Sequence, residues 1–395
     1  MTLWFTMNLP MFTRALRQVW NVREAHLCYR FTPCLYRDTA ASVILAKDDY
    51  QTDSQYSADL AEFQAAYPDI ERALTEMRER YADTEAANQW FKKVLQYNMR
   101  GGSLSRGLAV VQSYHILAAP EDNIASNTKL AQVMGWCLEL LHTSLVLTQD
   151  LIDQARERRG KPCWYLQNPR QAPDGAARLL DYSIYKLLKK HFRKKDYYID
   201  ALELFHTVGE KAMLGKILDM ETRGDPTLSR FDMTTYNTVS KYRNAYHSFK
   251  LPVSLALYMA GIRDSEVHRQ ARTIQLEMGN FYQAQCDFFN CYGGGRWDHA
   301  TPGHDIEDGR CTWLIVVALQ RASPAQRQVL IENYGQKDEE KVMKVKEVYE
   351  EIGIPHTYKM FEEHSLELIC TQIQQISRGL PHQLFFRFLK TMTGH

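Results

Sequence analysis

The chain has 395 residues, 45% of them hydrophobic and 24% charged, with a formal net charge of +1 at pH 7. That length suits one large domain or two medium ones, and the balanced charge excludes a dedicated nucleic-acid surface. No apolar run approaches the roughly 18 residues of a membrane-spanning helix, and eight scattered cysteines without CxxC pairing exclude a disulfide framework and a zinc site.

Residues 1–45 stand apart, with Arg14, Arg17, Arg23, Arg30 and Arg37 against only Glu24 and Asp38. Such a segment reads as a mitochondrial transit peptide or as a disordered basic tail. The expected location is the cytoplasm, or the mitochondrion by way of this segment. One domain is expected over 46–395. Residues 59–84 carry Leu60, Phe63, Ile70, Leu74 and Met77 at helical steps. The glycine-rich "RGGSLSRG" (100–107) turns into a further helix. Residues 130–154 are apolar nearly all round, as in a helix buried at the centre of a bundle. It ends at "RRGKPCW" (158–164), and helical patterns resume over 177–192, 197–220, 251–261 and 270–292. A long polar loop spans 291–310, and amphipathic helices complete the C-terminal third. With no strand alternation and no internal repeat, the chain is expected to be all-α, with ten or more helices.

Two stretches carry chemistry. In "VLTQDLIDQARERRG" (146–160), Gln149, Asp150 and Asp153 share one side of a helix. Two carboxylates so placed can bind Mg²⁺, and Arg158 and Arg159, one to two turns further on, suit a phosphate. The plain alternative is a solvated charged helix end. In "FYQAQCDFFNCYGG" (281–294), Cys286, Asp287 and Asn290 repeat the same spacing. Two matching triplets on apolar helices read as two halves of one metal cluster. The alternative is a helix cap at Asp287 and core roles for Cys286 and Asn290.

Over residues 50–390 the sequence resembles the farnesyl diphosphate synthase family. The resemblance rests on "RGGSLSRGLAVVQSY", "RRGKPCWY", "KYRNAYHSFKLPVSLALYMAG", "MGNFYQAQCDFF" and "LQRASPAQRQVLIENYGQKDEEKV". It implies the isoprenoid synthase fold, helices around a central cavity, a homodimer, and a prenyl diphosphate substrate. It also implies up to three Mg²⁺ ions, or Mn²⁺, between two DDxxD motifs. Here those motifs read Gln149, Asp150, Asp153 and Cys286, Asp287, Asn290. The expected metal ligands are therefore Asp150, Asp153, Asp287, Asn290 and Gln149, with soft Cys286 a poor match for a hard ion.

The resemblance also ranks the two substrate sites. On the isopentenyl diphosphate side, Ser103 replaces a lysine, His142 replaces a glutamine, and the chain ends without a basic tail. Only Arg106 and Arg159 remain there. On the allylic side, Arg158 matches a diphosphate-binding arginine. Arg243 and Arg310 conserve lysine charges, Asn244 replaces a threonine, Gln283 is retained, and Thr301 replaces a third lysine. Ser144 and Leu145 stand where aromatics close the allylic pocket, which implies room for a C20 chain as well as a C15 chain.

The expectation is a terpene synthase, similar to the isoprenyl-diphosphate-synthase-like enzymes of insects. It would ionise farnesyl or geranylgeranyl diphosphate with Asp150, Asp153, Arg158 and Arg243 as catalytic residues. Tyr246, Phe249 and Tyr282 are candidates to shield the cation. Two alternatives stand: a farnesyl or geranylgeranyl diphosphate synthase with atypical motifs, and a non-catalytic regulatory paralogue.

Overall fold

The computed structural model describes residues 53–79, 82–167, 173–293, 304–377 and 379–393. The basic segment 1–45 and Thr301 lie outside the described residues. The chain is helical almost throughout, as expected. Residues 59–84 do not form one helix: α1 is Asp53–Ala65 and α2 is Tyr67–Glu79. Pro68, in the first turn of α2, lacks the N–H that a continuous helix would need.

Next come α3 (Glu85–Asn98), α4 (Ser105–Leu117) and α5 (Ala125–Ile152). The last is long and apolar enough to cross a membrane, contrary to the expectation that no such segment exists, but 78% of its apolar window is buried inside the protein. It packs against α4 and α7 (Pro173–Phe192) as the spine of the bundle. Trp136, on α5, stacks on Phe63 with ring centroids 4.8 Å apart.

Helix α5 stops at Ile152, and Arg158 and Arg159 are not on its continuation. A two-residue antiparallel ladder follows, β1 (Glu157–Arg158) with β2 (Lys161–Pro162), pairing Arg158 with Lys161. The sequence shows no alternation here because the ladder is too short to have any. Its turn residues, Arg159 (φ 54°) and Gly160 (φ 70°), both adopt the left-handed conformation of a type I′ hairpin. The hydroxyl of Tyr97, on α3, donates to the Pro162 carbonyl at 2.7 Å and anchors the hairpin.

Beyond the short α6 (Trp164–Gln167) and α7, the chain continues with α8 (Tyr198–Arg223) and α9 (Met233–Ser240). A π-helical stretch, Lys241–Lys250, leads into α10 (Leu251–Met259), and α11 spans Ser265–Tyr292. The π stretch lies between α8 and α11. Two glycines admit it: a Cβ at Gly215 would stand 2.2 Å from the Arg243 nitrogen, and one at Gly279 would stand 2.3 Å from the Ala245 Cβ. Helices α12 (Trp313–Arg321), α13 (Pro324–Asn333), α14 (Glu339–Glu351), α15 (Ile354–Gln374) and α16 (His382–Thr393) complete the bundle.

Candidate active site

The end of α5 meets the end of α8 where Asp153 pairs with Arg223, and the pocket beside it draws on the end of α11. Asp150 is buried and accepts two hydrogen bonds from Arg158, from Nε at 3.1 Å and Nη2 at 2.5 Å. Asp153, at the C-cap of α5, accepts from three donors. These are Gln149 Nε2 at 2.7 Å, Arg223 Nη1 at 2.9 Å and Arg310 Nη2 at 2.5 Å. Burial opposes its ionisation, but Arg310 and Arg223 outweigh burial and hold the carboxyl below the usual carboxylate range.

Asp219, on α8, is tied to the same cations. Arg223 bonds to it one helical turn away, Arg310 Nη1 lies at 3.3 Å and Arg243 Nη1 at 3.8 Å. Its carboxyl is also held low, with burial overcome by Arg243, Arg310 and Arg223. Arg310 further reaches Asp305 Oδ1 at 3.0 Å. Lys216, buried one turn before Asp219, donates to the Leu145 carbonyl. Burial, helped by Arg243, lowers its pKa to about 7.

The second motif is held by a polar chain. Arg106 Nε donates to Ser248 Oγ at 2.8 Å, and Ser248 donates to Asn244 Oδ1 at 2.6 Å. Asn244 Nδ2 donates to Gln283 Oε1 at 3.2 Å, and Gln283 Nε2 to Asp287 Oδ1 at 2.8 Å. The other Asp287 oxygen accepts from the Trp313 backbone N–H, the first residue of α12, at 2.8 Å. Burial and the nearby Asp305 still push the Asp287 carboxyl up to about 7. Asn290 Nδ2 donates to Asp305 Oδ2 at 3.2 Å. Asp219, Arg243, Gln283, Asp287, Asn290, Asp305 and Arg310 line one pocket.

A second cavity of about 210 Å³ is lined in part by Asp150. Arg100, Arg158, Arg159 and Lys161 bring four cations to its wall, beside Gly101, Gly102 and Trp164. Arg159 Nη1 donates to the Asn98 and Gly101 carbonyls at 3.2 and 3.0 Å, which fixes the guanidinium over the glycine turn. Arg100 and Lys161 escape a reading that matches motifs one position at a time. The signals were present: Arg100 directly precedes the glycine pair, and Lys161 follows the Arg-Gly turn.

Other expected residues sit elsewhere. Arg106 points inward to Ser248 rather than into the cation cavity. Ser144 and Leu145 are buried, Ser144 donating to the Leu141 carbonyl at 2.8 Å, and neither lines the two pockets above. Phe249 and Tyr282 pack together at 5.5 Å, and Tyr246 lies beneath the Lys211 ammonium at 4.2 Å. His142 stacks on His247 at 5.7 Å.

The donor sets differ in their fit to Mg²⁺. Among the described residues, no three His, Cys, Asp or Glu side chains converge as a metal site. Mg²⁺ needs only one or two carboxylates when substrate phosphates supply the rest. Asp287 and Asp305, the latter also paired with Arg310 at 3.0 Å, form an acidic pair beside Asn290 that a hard cation would relieve. Asp150 and Asp153 are each closely paired with guanidinium groups, and Gln149 offers Asp153 its N–H rather than its carbonyl.

The Polyprenyl synthetase family profile matches residues 88–352. The farnesyl pyrophosphate synthase of Nezara viridula is 42% identical over 340 residues, 85% of this chain and 82% of that protein. That of Gallus gallus is 39% identical over 330 residues, 82% of this chain and 89% of that protein. A T. brucei farnesyl diphosphate synthase solved with risedronate superposes with a TM-score of 0.77 at 26% identity, covering 85% of this chain and 98% of that one.

These matches overturn the expectation of a terpene synthase acting as a lyase, since the relatives are named as synthases of farnesyl diphosphate. The expectation also counted too few cations near the glycine turn, where Arg100 and Lys161 join Arg159 on one cavity wall. Family, fold and site agree: the chain belongs to the polyprenyl synthetase family.

Proposed function

We propose that this protein is a prenyltransferase that joins isopentenyl diphosphate to an allylic prenyl diphosphate, yielding farnesyl diphosphate as its named relatives do. The observation that carries this reading is the presence of two separate cation-lined pockets. One holds Arg243 and Arg310, and the other holds Arg100, Arg158, Arg159 and Lys161. A reaction with one diphosphate needs one such pocket, and a coupling needs two.

In this reading the allylic C1–O bond breaks and the diphosphate leaves with the electron pair. Arg243 and Arg310 stabilise its growing charge, and Arg158, paired with Asp150, lines the second pocket. The double bond of isopentenyl diphosphate supplies the electrons of the new C–C bond at C1. The proton lost next to that bond passes to the released diphosphate. Arg159 and Lys161 hold the isopentenyl diphosphate through charge and hydrogen bonds. Prenyl synthetases generally use Mg²⁺, which when bound neutralises diphosphate charge; here Asp287, Asp305 and Asn290 would hold it.

A homodimer belongs to the same proposal. Met213, Leu214, Ile217 and Met220 stand exposed on α8, a patch spaced as one helix face. Light scattering at twice the chain mass, reduced to the chain mass by Ile217→Glu, tests it.

The reading is tested by calorimetry with isopentenyl diphosphate in EDTA. Binding to the wild type, weakened at least tenfold by Lys161→Gln, is expected. A wild type that binds no isopentenyl diphosphate would defeat the reading.

A further inference from the structure

We propose that Arg223 is a resident cation behind the wall of the diphosphate pocket, spanning Asp153 and Asp219 where a divalent ion would otherwise stand, so that diphosphate binds there with one fewer metal ion. The inference rests on the reading that a diphosphate occupies this pocket.

Arg223 is the last residue of α8, one turn after Asp219, so both side chains leave the helix on the same side. Its Nη1 lies 2.9 Å from Asp153 Oδ1, and its Nη2 bonds to Asp219 Oδ2. Arg310 makes the same bridge from the opposite wall, 2.5 Å from Asp153 Oδ2 and 3.3 Å from Asp219 Oδ2. Two carboxylates and two guanidinium groups thus close a ring with no net charge. A metal ion at Asp153 would have to compete with both arginines.

The neighbours support this assignment. Gln149 turns its amide N–H toward Asp153, so a third donor fills the space around that carboxylate. Asp153, Asp219 and Arg223 side chains are 9%, 3% and 14% exposed, so bulk water does little to screen the cluster. Arg223 Nε is buried and has no hydrogen-bond partner among the described residues. A buried N–H without a partner is costly and calls for an explanation, such as an ordered water, an ion or a functional role. Guanidinium groups pair with phosphate as readily as with carboxylate. Arg223 can therefore keep both aspartates and offer Nε to a diphosphate oxygen.

The probe is inorganic pyrophosphate, and the readouts are binding and metal count. Wild type, Arg223→Gln and Arg223→Lys are titrated with Mn²⁺ at saturating pyrophosphate, and bound Mn²⁺ is counted by electron paramagnetic resonance. Arg223→Gln is expected to bind one more Mn²⁺ per chain than wild type, because Asp153 and Asp219 become available, while Arg223→Lys keeps the wild-type count. In EDTA, wild type is expected to bind pyrophosphate, and Arg223→Gln to bind it at least tenfold more weakly. Equal Mn²⁺ counts in wild type and Arg223→Gln overturn the proposal. So does a wild type that binds no pyrophosphate in EDTA, a result that needs no variant to fold. Neither readout involves isoprenoid coupling, so a chain that passes both and couples nothing sinks only the proposed function.

Discussion

Arg310 Nη2 lies 2.5 Å from Asp153 Oδ2, tying the end of α5 to a residue 157 positions later in the chain. The same guanidinium reaches Asp219 and Asp305, so one side chain links the first acidic motif to two carboxylates of the allylic pocket. Arg310→Gln removes this link and a positive charge from the allylic pocket. A lost charge-stabilising donor of this kind costs about 10²–10³ in kcat. Steady-state kinetics should show that loss with the KM for isopentenyl diphosphate within threefold of wild type. A selective rise in that KM would place Arg310 in the wrong pocket.

Gly102 adopts φ +84°, and a Cβ there would stand 2.6 Å from the Arg159 Cζ. Gly102→Ala should push Arg159 off the glycine turn without disturbing the allylic pocket. The expected result is a KM for isopentenyl diphosphate raised about tenfold, equivalent to about 1.4 kcal/mol, with the allylic KM unchanged. Equal effects on both substrates would count against the assignment of the two cavities.

Gly215→Ala is the harsher change. The new Cβ meets the backbone of Arg243, which cannot rotate away. Separating α8 from the π stretch should cost about 1–3 kcal/mol of stability, as overpacking of a core does. Calorimetric unfolding should show a melting temperature lower by several degrees. An unchanged midpoint would mean that the two elements are less tightly packed than the geometry requires.

Lys216 gives the protein a pH signature. Its pKa falls from 10.5 to about 7 on folding, chiefly through burial. Between those values the unfolded chain binds the extra proton, so this group makes stability rise with pH, by up to about 1.4 kcal/mol per unit. The cost is full below pH 7 and absent above pH 10.5. Lys216→Met should therefore stabilise the protein most at pH 7, and its advantage should shrink toward pH 10. Urea unfolding at both pH values measures the difference, and a pH-independent advantage would rule out this role for Lys216.

The helices were legible in the sequence because the steps from Leu60 to Leu74, and the apolar length of α5, are local properties. Pro68 announced a break that the periodicity alone passed over. The metal motifs were legible by their spacing, but their present partners were not. Arg223 meets Asp153 across 70 positions, and no local pattern records that contact. Read one substitution at a time, Gln149, Cys286, Ser103 and His142 point to a lyase, and this is where the functional expectation fails. Charge in a pocket is collective, and Arg100 and Lys161 join it only when the hairpin folds back onto α3.

Product analysis tests the central claim most directly. Purified protein with Mg²⁺, isopentenyl diphosphate and geranyl diphosphate is followed by mass spectrometry. The account expects farnesyl diphosphate, with one isopentenyl diphosphate consumed for each inorganic diphosphate released. Hydrocarbon formed from the allylic diphosphate, with no elongated diphosphate while isopentenyl diphosphate is present, would contradict it.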